Sequence, residues 1–303
     1  MASGLTPEQR RRQRQRERLI VGAMFAAAVS SVLVTAGIIG TLLFESASFF
    51  QAVPLTSFLT DTVWTPLFDN PRYGILPLLA GTLLSTFVAL AVAVPLGLTI
   101  AVYLSEFAHP RLREWVKPAL EMLSGVPTVV YGFFALLFVT PLLQKTFLPS
   151  LPGFSILSAG IVIGIMILPY IASLSEDALR AVPQALRDGS LALGATKFET
   201  AIRVVLPGAF SGVAAAFVLA LSRAVGETMI VAIAAGQQPN LTLDPREPAA
   251  TITAFIVQVA LGDLPHGSIG YQAIFAAGLV LFLMTLAFNM LAFWLRRRYR
   301  EAY

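Results

Sequence analysis

Two oppositely charged residues, Arg223 and Glu227, lie inside an otherwise apolar stretch, in the run LSRAVGETM. They are four residues apart, so in a helix both side chains project from one face and can form an ion pair. Charges at membrane depth usually face a water-filled path or the interior of a helical bundle, because exposure to lipid is costly. A guanidinium donates to two oxygens of an anion such as phosphate at once. The pair therefore predicts an oxyanion path in which Glu227 holds the guanidinium, with a role in helix packing as the alternative.

Hydroxyl groups near these charges are further candidates for lining the path. Thr228 follows Glu227 directly, while Thr128 and Tyr131 follow the run Ser-Gly-Val-Pro at 124–127. A proline at the first position of a restarting helix leaves N–H groups that can face an anion, and the two hydroxyls would add donors there. Because proline is also common in transmembrane helices, a role in packing or kinking is the favoured interpretation of this segment.

The second candidate site is the polar segment 175–207, which contains many small residues and both signs of charge. Its pattern predicts a short helix over 188–193, then Gly194 at the position after the helix, then a second helix from Lys197 towards Pro207. A short exposed helix with small side chains fits a groove on a partner protein. Three charged residues would set the register of that contact: Arg187, Asp188 and Arg203. A solvated charged loop is the alternative.

Several kinds of catalytic chemistry have no support in the sequence. A phosphate-cradling loop needs a Gly-Lys pair before Ser or Thr, but the three lysines follow Val, Gln and Thr. Two histidines in loops predicted on opposite sides of the membrane, with no cysteine in the chain, do not make a metal site. We therefore expect no catalytic residue, no metal and no cofactor, and a transport process would need ATP hydrolysis by a separate subunit.

The composition is that of a membrane protein. Hydrophobic residues make up 56% of the chain and charged residues only 13%, with a mean hydropathy of +0.76. Six stretches are long enough to cross a hydrocarbon core of about 30 Å at ~1.5 Å per residue. They are approximately 19–44, 77–104, 126–147, 154–173, 210–235 and 271–295. The sequence thus predicts an all-α, polytopic protein with six transmembrane helices.

The basic residues assign sides to these spans. Six arginines precede the first span and four follow the last, and other basic residues concentrate in the loops on the same side. By the positive-inside rule this places both termini in the cytoplasm. Basic residues at membrane edges explain the sequence pI of about 9.6 without nucleic acid. The predicted organisation is a basic N-terminus at 1–18, a first span at 19–44, an external loop at 45–76, a core of five helices at 77–295 with an internal loop at 174–209, and a cytoplasmic tail at 296–303.

Two shorter segments have helical patterns of their own. Segment 112–123 alternates charged and apolar residues, which predicts an amphipathic helix on the internal membrane surface. Segment 249–261 is apolar but too short to span a membrane. It is expected to be interfacial rather than re-entrant.

The polar segment resembles the EAA loop of the binding-protein-dependent ABC import permeases. That consensus is Glu-Ala-Ala, three residues, Gly, nine residues, Ile, one residue and Leu-Pro. The spacing matches throughout this chain, and the substitutions keep charge sign and small size. The aligned residues are Asp188, Gly189, Ser190, Gly194, Val204, Leu206 and Pro207. The resemblance implies that this loop is the coupling helix that docks on an ATPase subunit, and that the fold is that of a type I ABC importer permease.

Beyond this loop the chain resembles the phosphate-specific members of that family from end to end. Four segments carry the likeness: WTPLFDNPRYGILPLLAGTL at 64–83, AVPLGLTIAVYLSEFA at 93–108, GVPTVVYGFFAL at 125–136 and SRAVGETMIVAIAAG at 222–236. The resemblance implies a permease in the bacterial inner membrane that works with a second permease subunit, an ATPase dimer and an extracytoplasmic phosphate-binding protein. The alternatives are transport of another oxyanion, molybdate or sulfate, and a proton-coupled secondary transporter with Arg223 and Glu227 as the relay.

Overall fold

The computed structural model describes residues 7–265 and 267–298, so His266 and the extremes of both predicted termini lie outside the described residues. The long apolar helices are α1 (Pro7–Ala52), α3 (Leu76–Phe107), α5 (Thr128–Thr146), α6 (Ile156–Arg180) and α12 (Ile269–Arg298). The shorter ones are α2 (Leu55–Thr60), α4 (Pro110–Ser124), α7 (Gln184–Ala192), α8 (Lys197–Gly208), α9 (Phe210–Val225), α10 (Met229–Ala234) and α11 (Ile252–Gln258). No strand occurs in this described part, so the predicted all-α class is confirmed.

Five of these helices are long and apolar enough to cross a membrane, and a sixth crossing results if α8 and α9, bent by 72° against each other, count as one. The first span is longer than expected, because α1 begins inside the basic N-terminal segment and continues eight residues into the predicted external loop. From Arg16 to Phe44 helix α1 is mostly exposed within the subunit, whereas Ser46 and Phe49 near its end are buried. The apolar surface of the exposed part is therefore left for lipid or a partner.

The predicted fifth span, 210–235, is not a continuous helix. Helix α9 ends at Val225, and α10 begins at Met229 after the Gly-Glu-Thr run. Glycine is a poor helix former, and the backbone groups freed at this break find other partners within the subunit. The break is the feature on which the site described below is built.

The predicted interfacial position of segment 249–261 is wrong. The residues from Ala249 to Phe255 are buried inside the bundle, where α11 packs against α3, α10 and α12. An aromatic cluster holds this segment in place, with the rings of Trp64 and Phe255 4.9 Å apart. By contrast, the predicted amphipathic helix is confirmed as α4, and its residues are at most half-buried.

Helices α3 and α6 form the centre of the bundle, and glycines let them approach closely. Gly97 lies against Ile171, and Gly160 lies against Val88. At Gly164, a Cβ atom would lie 2.8 Å from the backbone oxygen of Ala89. Small residues at helix contacts are typical of membrane bundles, since association there depends on close van der Waals packing.

We predict that Gly164→Ala destabilises the subunit, because the added methyl group meets backbone rather than a flexible side chain. The expected loss is about 1–3 kcal/mol, the usual penalty for overpacking, measured as a lower melting temperature of the purified complex in detergent. Gly153→Ala is the matched control, since a Cβ at that loop position meets nothing within 4 Å. Equal melting temperatures for the two variants would contradict the packing described.

Candidate functional site

Arg223 lies in the last turn of α9, Glu227 lies in the break that follows, and the two form a loose ion pair. The Arg223 Nη2 atom is 3.9 Å from Glu227 Oε2, so the contact is electrostatic rather than a hydrogen bond. Their environments differ sharply, because the Arg223 side chain is 43% exposed and that of Glu227 only 2%. The pairing predicted from the sequence is therefore present, with a fixed carboxylate and an accessible guanidinium.

Glu227 is fixed because it satisfies the start of α10. Its Oε1 atom accepts hydrogen bonds from the backbone N–H groups of Met229, at 3.1 Å, and Ile230, at 3.4 Å. These are N–H groups that a helix start leaves without intrahelical partners. The Glu227 carbonyl in turn accepts from the Thr253 hydroxyl at 2.7 Å. The carboxylate thus has a structural task besides neutralising Arg223.

Thr253 was not predicted from the sequence. It belongs to a buried group of threonines in which the Thr82 hydroxyl accepts from the Ile252 N–H at 3.1 Å, and the Thr251 and Thr253 hydroxyls are 3.1 Å apart. This group connects α3, α11 and the break. The available signal was a Thr-Ile-Thr run at the start of a short apolar segment, where hydroxyls inside a membrane protein need partners.

The predicted hydroxyl donors take different positions. Thr128 begins α5, and Pro127 sits at its N-cap with non-helical angles, one position earlier than predicted. The Tyr131 hydroxyl donates to the Leu123 carbonyl at 2.8 Å, and the Thr228 hydroxyl donates to the Gly226 carbonyl at 3.2 Å. Helix α5 packs on α10, with Gly132 beside the Met229 carbonyl. The structure therefore places the segment around Thr128 next to the break at Gly-Glu-Thr. The hydroxyls of Tyr131 and Thr228, however, donate to backbone carbonyls.

The polar loop forms the predicted helix, glycine turn and second helix. Helix α7 begins four residues before the predicted start, and Gly194 follows its C-cap with a φ of +87°. The N–H of Gly194 bonds to the Leu191 carbonyl and that of Ala195 bonds to the Ser190 carbonyl, the pattern of a Schellman motif. Thr196 and Glu199 then form a capping box at the start of α8. The Schellman motif ends α7 and the capping box begins α8, so the turn between them has defined hydrogen bonds on both sides.

The aligned residues of this loop point in different directions. Asp188, Gly189 and Gly194 are exposed, and the neighbouring Leu193 is 91% exposed. The Ser190 hydroxyl lies 2.9 Å from that of Thr200, which ties α7 to α8. In α8, Val204 and Leu206 are half-buried, while Pro207 is exposed. The loop thus presents a convex surface with an apolar tip.

Arg187 does not face outward, contrary to the expectation that it sets the register of a partner contact. Its Nε and Nη2 atoms donate to the Glu106 carboxylate at 3.1 and 2.9 Å, and Nη1 donates to the Val182 carbonyl at 2.5 Å. Only about an eighth of the side chain is exposed (12%). Arg187 therefore anchors α7 to the end of α3, because its planar fork matches a carboxylate bidentately.

A buried carboxylate ties α4 to the end of α6. Glu176 is fully buried, and it accepts from Arg113 Nε at 2.6 Å and from Lys117 Nζ at 2.9 Å. Lys117 also pairs with Asp177. Burial lowers the pKa of Lys117, but its hydrogen bonds to Asp177 and Glu176 and their charges outweigh burial, so the pKa is raised above its ordinary value. Helix α6, which precedes the polar loop, is thus attached to α4 by charged contacts.

Comparisons with known proteins agree with this architecture. The family model described as "Binding-protein-dependent transport system inner membrane component" matches residues 93–301. The probable ABC transporter permease protein YqgH of Bacillus subtilis is 35% identical over 281 residues, covering 91% of this chain and 90% of the relative. The phosphate transport system permease protein PstC of Mesorhizobium japonicum is 34% identical over 289 residues, covering 88% and 86%.

Solved structures show the same fold at low identity. A bacterial ABC transporter involved in the import of the acidic polysaccharide alginate aligns with a TM-score of 0.64 at 16% identity, over 96% of this chain and 100% of that chain. The MetNI methionine ABC transporter in an inward-facing conformation aligns with a TM-score of 0.55 at 18% identity, over 75% and 95%. The predicted importer permease fold is confirmed.

The position of Glu227 gives a prediction that separates its two tasks. Glu227→Gln keeps an oxygen that can accept from Met229 but removes the charge, whereas Glu227→Ala removes both. We expect Glu227→Ala to lower the free energy of unfolding by about 1–2 kcal/mol more than Glu227→Gln, because it leaves the helix start without an acceptor. Thermal unfolding of the purified complex measures the difference. Equal stability of the two variants would mean that the carboxylate does not support the break.

Proposed function

Because this chain belongs to the family of binding-protein-dependent transport system inner membrane components, we propose that it is a permease subunit of an ATP-driven importer of inorganic phosphate. The assignment of phosphate as the substrate rests on sequence identity to phosphate permeases over most of the chain. This identity is 34% to PstC of Mesorhizobium japonicum and 33% to PstC of Haemophilus influenzae. The accessible guanidinium of Arg223 provides chemistry that suits a tetrahedral oxyanion. The subunit is not itself an enzyme.

Arg223 lines the translocation path in this proposal. Its side chain is accessible at the surface of the isolated subunit, where a second permease subunit would complete the channel. The buried Glu227 carboxylate at 3.9 Å offsets part of its charge without occupying its donors, so an anion can bind and still leave. Thr228 lies in the break directly before α10, and Thr128 begins α5, which packs on α10. Tyr131 positions α5 through its bond to Leu123.

The coupling element in this proposal is the convex surface of α7, the Gly194 turn and α8. This surface fits a groove on an ATPase, because it exposes Asp188 and Gly189 and has an apolar tip at Leu193. Ser190 ties the second helix to the first through Thr200, and Leu206 packs against buried residues of α3 and α6. Val204 and Pro207 belong to the same second helix. Arg187 acts as a positioning residue through Glu106.

The basic loops support an orientation with both termini and the coupling loop in the cytoplasm. The proposed assembly contains a second, PstA-like permease subunit, a PstB-like ATPase dimer on the cytoplasmic side and a PstS-like phosphate-binding protein on the opposite side. Membrane lipid surrounds the assembly. The apolar surface of α1 is available to lipid or to the second permease subunit.

Replacing Arg223 tests the path. Arg223→Gln should lower phosphate uptake into cells or proteoliposomes by about 10- to 100-fold, the effect of losing a charge-assisted hydrogen bond of ~1.5–3 kcal/mol, while the complex still assembles. Arg223→Lys keeps the charge but loses the planar fork, so an intermediate rate is expected. Uptake by Arg223→Gln near the wild-type rate would exclude the assigned role. Competition by sulfate or molybdate in the same assay identifies the transported oxyanion.

Replacing Gly194 tests the coupling turn. Gly194→Val puts a β-branched residue at a φ of +87°, which such residues avoid. We expect ATP hydrolysis to continue while phosphate transport per ATP falls several-fold. Gly153→Ala is the control, because Gly153 lies outside the proposed coupling surface, its φ is not in the left-handed range, and a Cβ there meets nothing within 4 Å. If Gly194→Val transports as much phosphate per ATP as the wild type, the turn does not couple ATP hydrolysis to transport.

A further inference from the structure

A cavity of about 410 Å³ lies behind the coupling loop, on the side that faces the spans. Its wall combines the end of α3, the start of α4, the end of α6 and parts of α7 and α8. Five residues of this wall are charged, four of them positively: Glu106, Arg113, Arg180, Arg187 and Lys197. The path at Arg223 contributes none of these residues, so the cavity is separate from it.

The positive charges of the wall exceed the negative charges that neutralise them. Arg187 is bound bidentately by Glu106, and Arg113 is hydrogen-bonded to the buried Glu176 behind the wall. The other two cations of the wall, Arg180 and Lys197, have only weaker electrostatic contacts to the same carboxylates, Arg180 to Glu176 and Lys197 to Glu106. A cleft with an excess of one sign and apolar walls concentrates ions of the opposite sign.

Arg180 and Lys197 have unused donors. Arg180 Nε is 3.9 Å from Glu176, beyond hydrogen-bond distance, and 49% of its side chain is exposed. Lys197 Nζ lies 5.5 Å above the ring of Phe107, a cation–π contact that takes none of its N–H groups. Within the described ranges no carboxylate lies within 4 Å of Lys197. Both cations are thus able to bind an anion in the cavity.

We propose that this cavity binds a phosphate-type oxyanion between Arg180 and Lys197. A guanidinium and an ammonium together suit such an anion, one as a planar fork and the other as a point charge. The volume exceeds what orthophosphate alone needs, so the phosphate group of an acidic lipid fits the same chemistry. The proposal does not depend on which anion the subunit transports.

An anion at this position would connect two parts of the coupling machinery. Arg180 is the last residue of α6, and Lys197 is the first residue of α8 after the Gly194 turn. Contacts from one oxyanion to both would brace the loop against the span that precedes it. Occupancy of the cavity would therefore change how firmly the loop follows the bundle.

The test measures ligand stabilisation of the assembled transporter in nanodiscs. In one arm, chloride is replaced by inorganic phosphate at constant ionic strength in phosphatidylcholine nanodiscs. In the other, phosphatidylglycerol is included without phosphate. Binding to the folded state raises the melting temperature, and we expect a rise of about 2–5 °C in at least one arm. The arm that responds identifies free phosphate or a lipid headgroup as the source.

The variant Arg180→Gln/Lys197→Gln should lose this rise. Arg111→Gln is the matched control, because Arg111 is exposed on α4 and does not line the cavity. Arg223→Gln should keep the rise, which separates the cavity from the transport path. If the double variant does not assemble, Lys197→Gln alone gives the comparison, since it leaves the Arg180 contact with Glu176 intact. A wild-type protein that responds in neither arm, or a double variant that responds like wild type, overturns the proposal.

Discussion

The requirement that buried backbone groups find partners inside a membrane protein governs the break between α9 and α10. A helix that stops at Val225 and restarts at Met229 exposes N–H and carbonyl groups that lipid cannot satisfy. The Glu227 carboxylate and the Thr253 hydroxyl satisfy several of them. The Thr253 hydroxyl also lies 3.1 Å from that of Thr251, which caps the start of α11, and Thr82 of α3 accepts from the Ile252 N–H there. The break, the buried threonines and the packing of α3 therefore depend on one another.

The polar loop that we propose as the coupling element is held in place by hydrogen bonds of its own and by charged contacts of its neighbours. Its turn has its own backbone bonds and a capping box, and Arg187 and Glu176 connect its surroundings to α3 and α4. Charged contacts between elements distant in sequence resist sliding better than apolar packing, since they require specific geometry. A displacement applied to α7 is therefore passed to α3 through Glu106. The proposed oxyanion between Arg180 and Lys197 would add one more contact of this kind.

Local sequence signals predicted the spans and the glycine turn. Hydropathy located the apolar stretches, and Gly194 between helix-forming runs indicated a left-handed residue that the structure confirms. The break at 226–228 was missed, because the Gly-Glu-Thr run is short and the apolar residues on both sides of it give one continuous hydrophobic stretch. Arg187 was misassigned for a different reason. Its partner Glu106 lies 81 residues earlier, and only the fold brings them together. The burial of segment 249–255 likewise depends on neighbours that no local pattern specifies.

The unequal environments of Arg223 and Glu227 explain how one ion pair can serve transport. A tight bidentate pair would occupy the guanidinium, while an isolated arginine would hold an oxyanion too strongly for release. At 3.9 Å the carboxylate lowers the local potential and leaves the donors free. The hydrogen bonds to the start of α10 hold the Glu227 carboxylate in place. The helix break thus fixes the position of the negative charge that faces Arg223, and with it the potential that an anion at the guanidinium would meet.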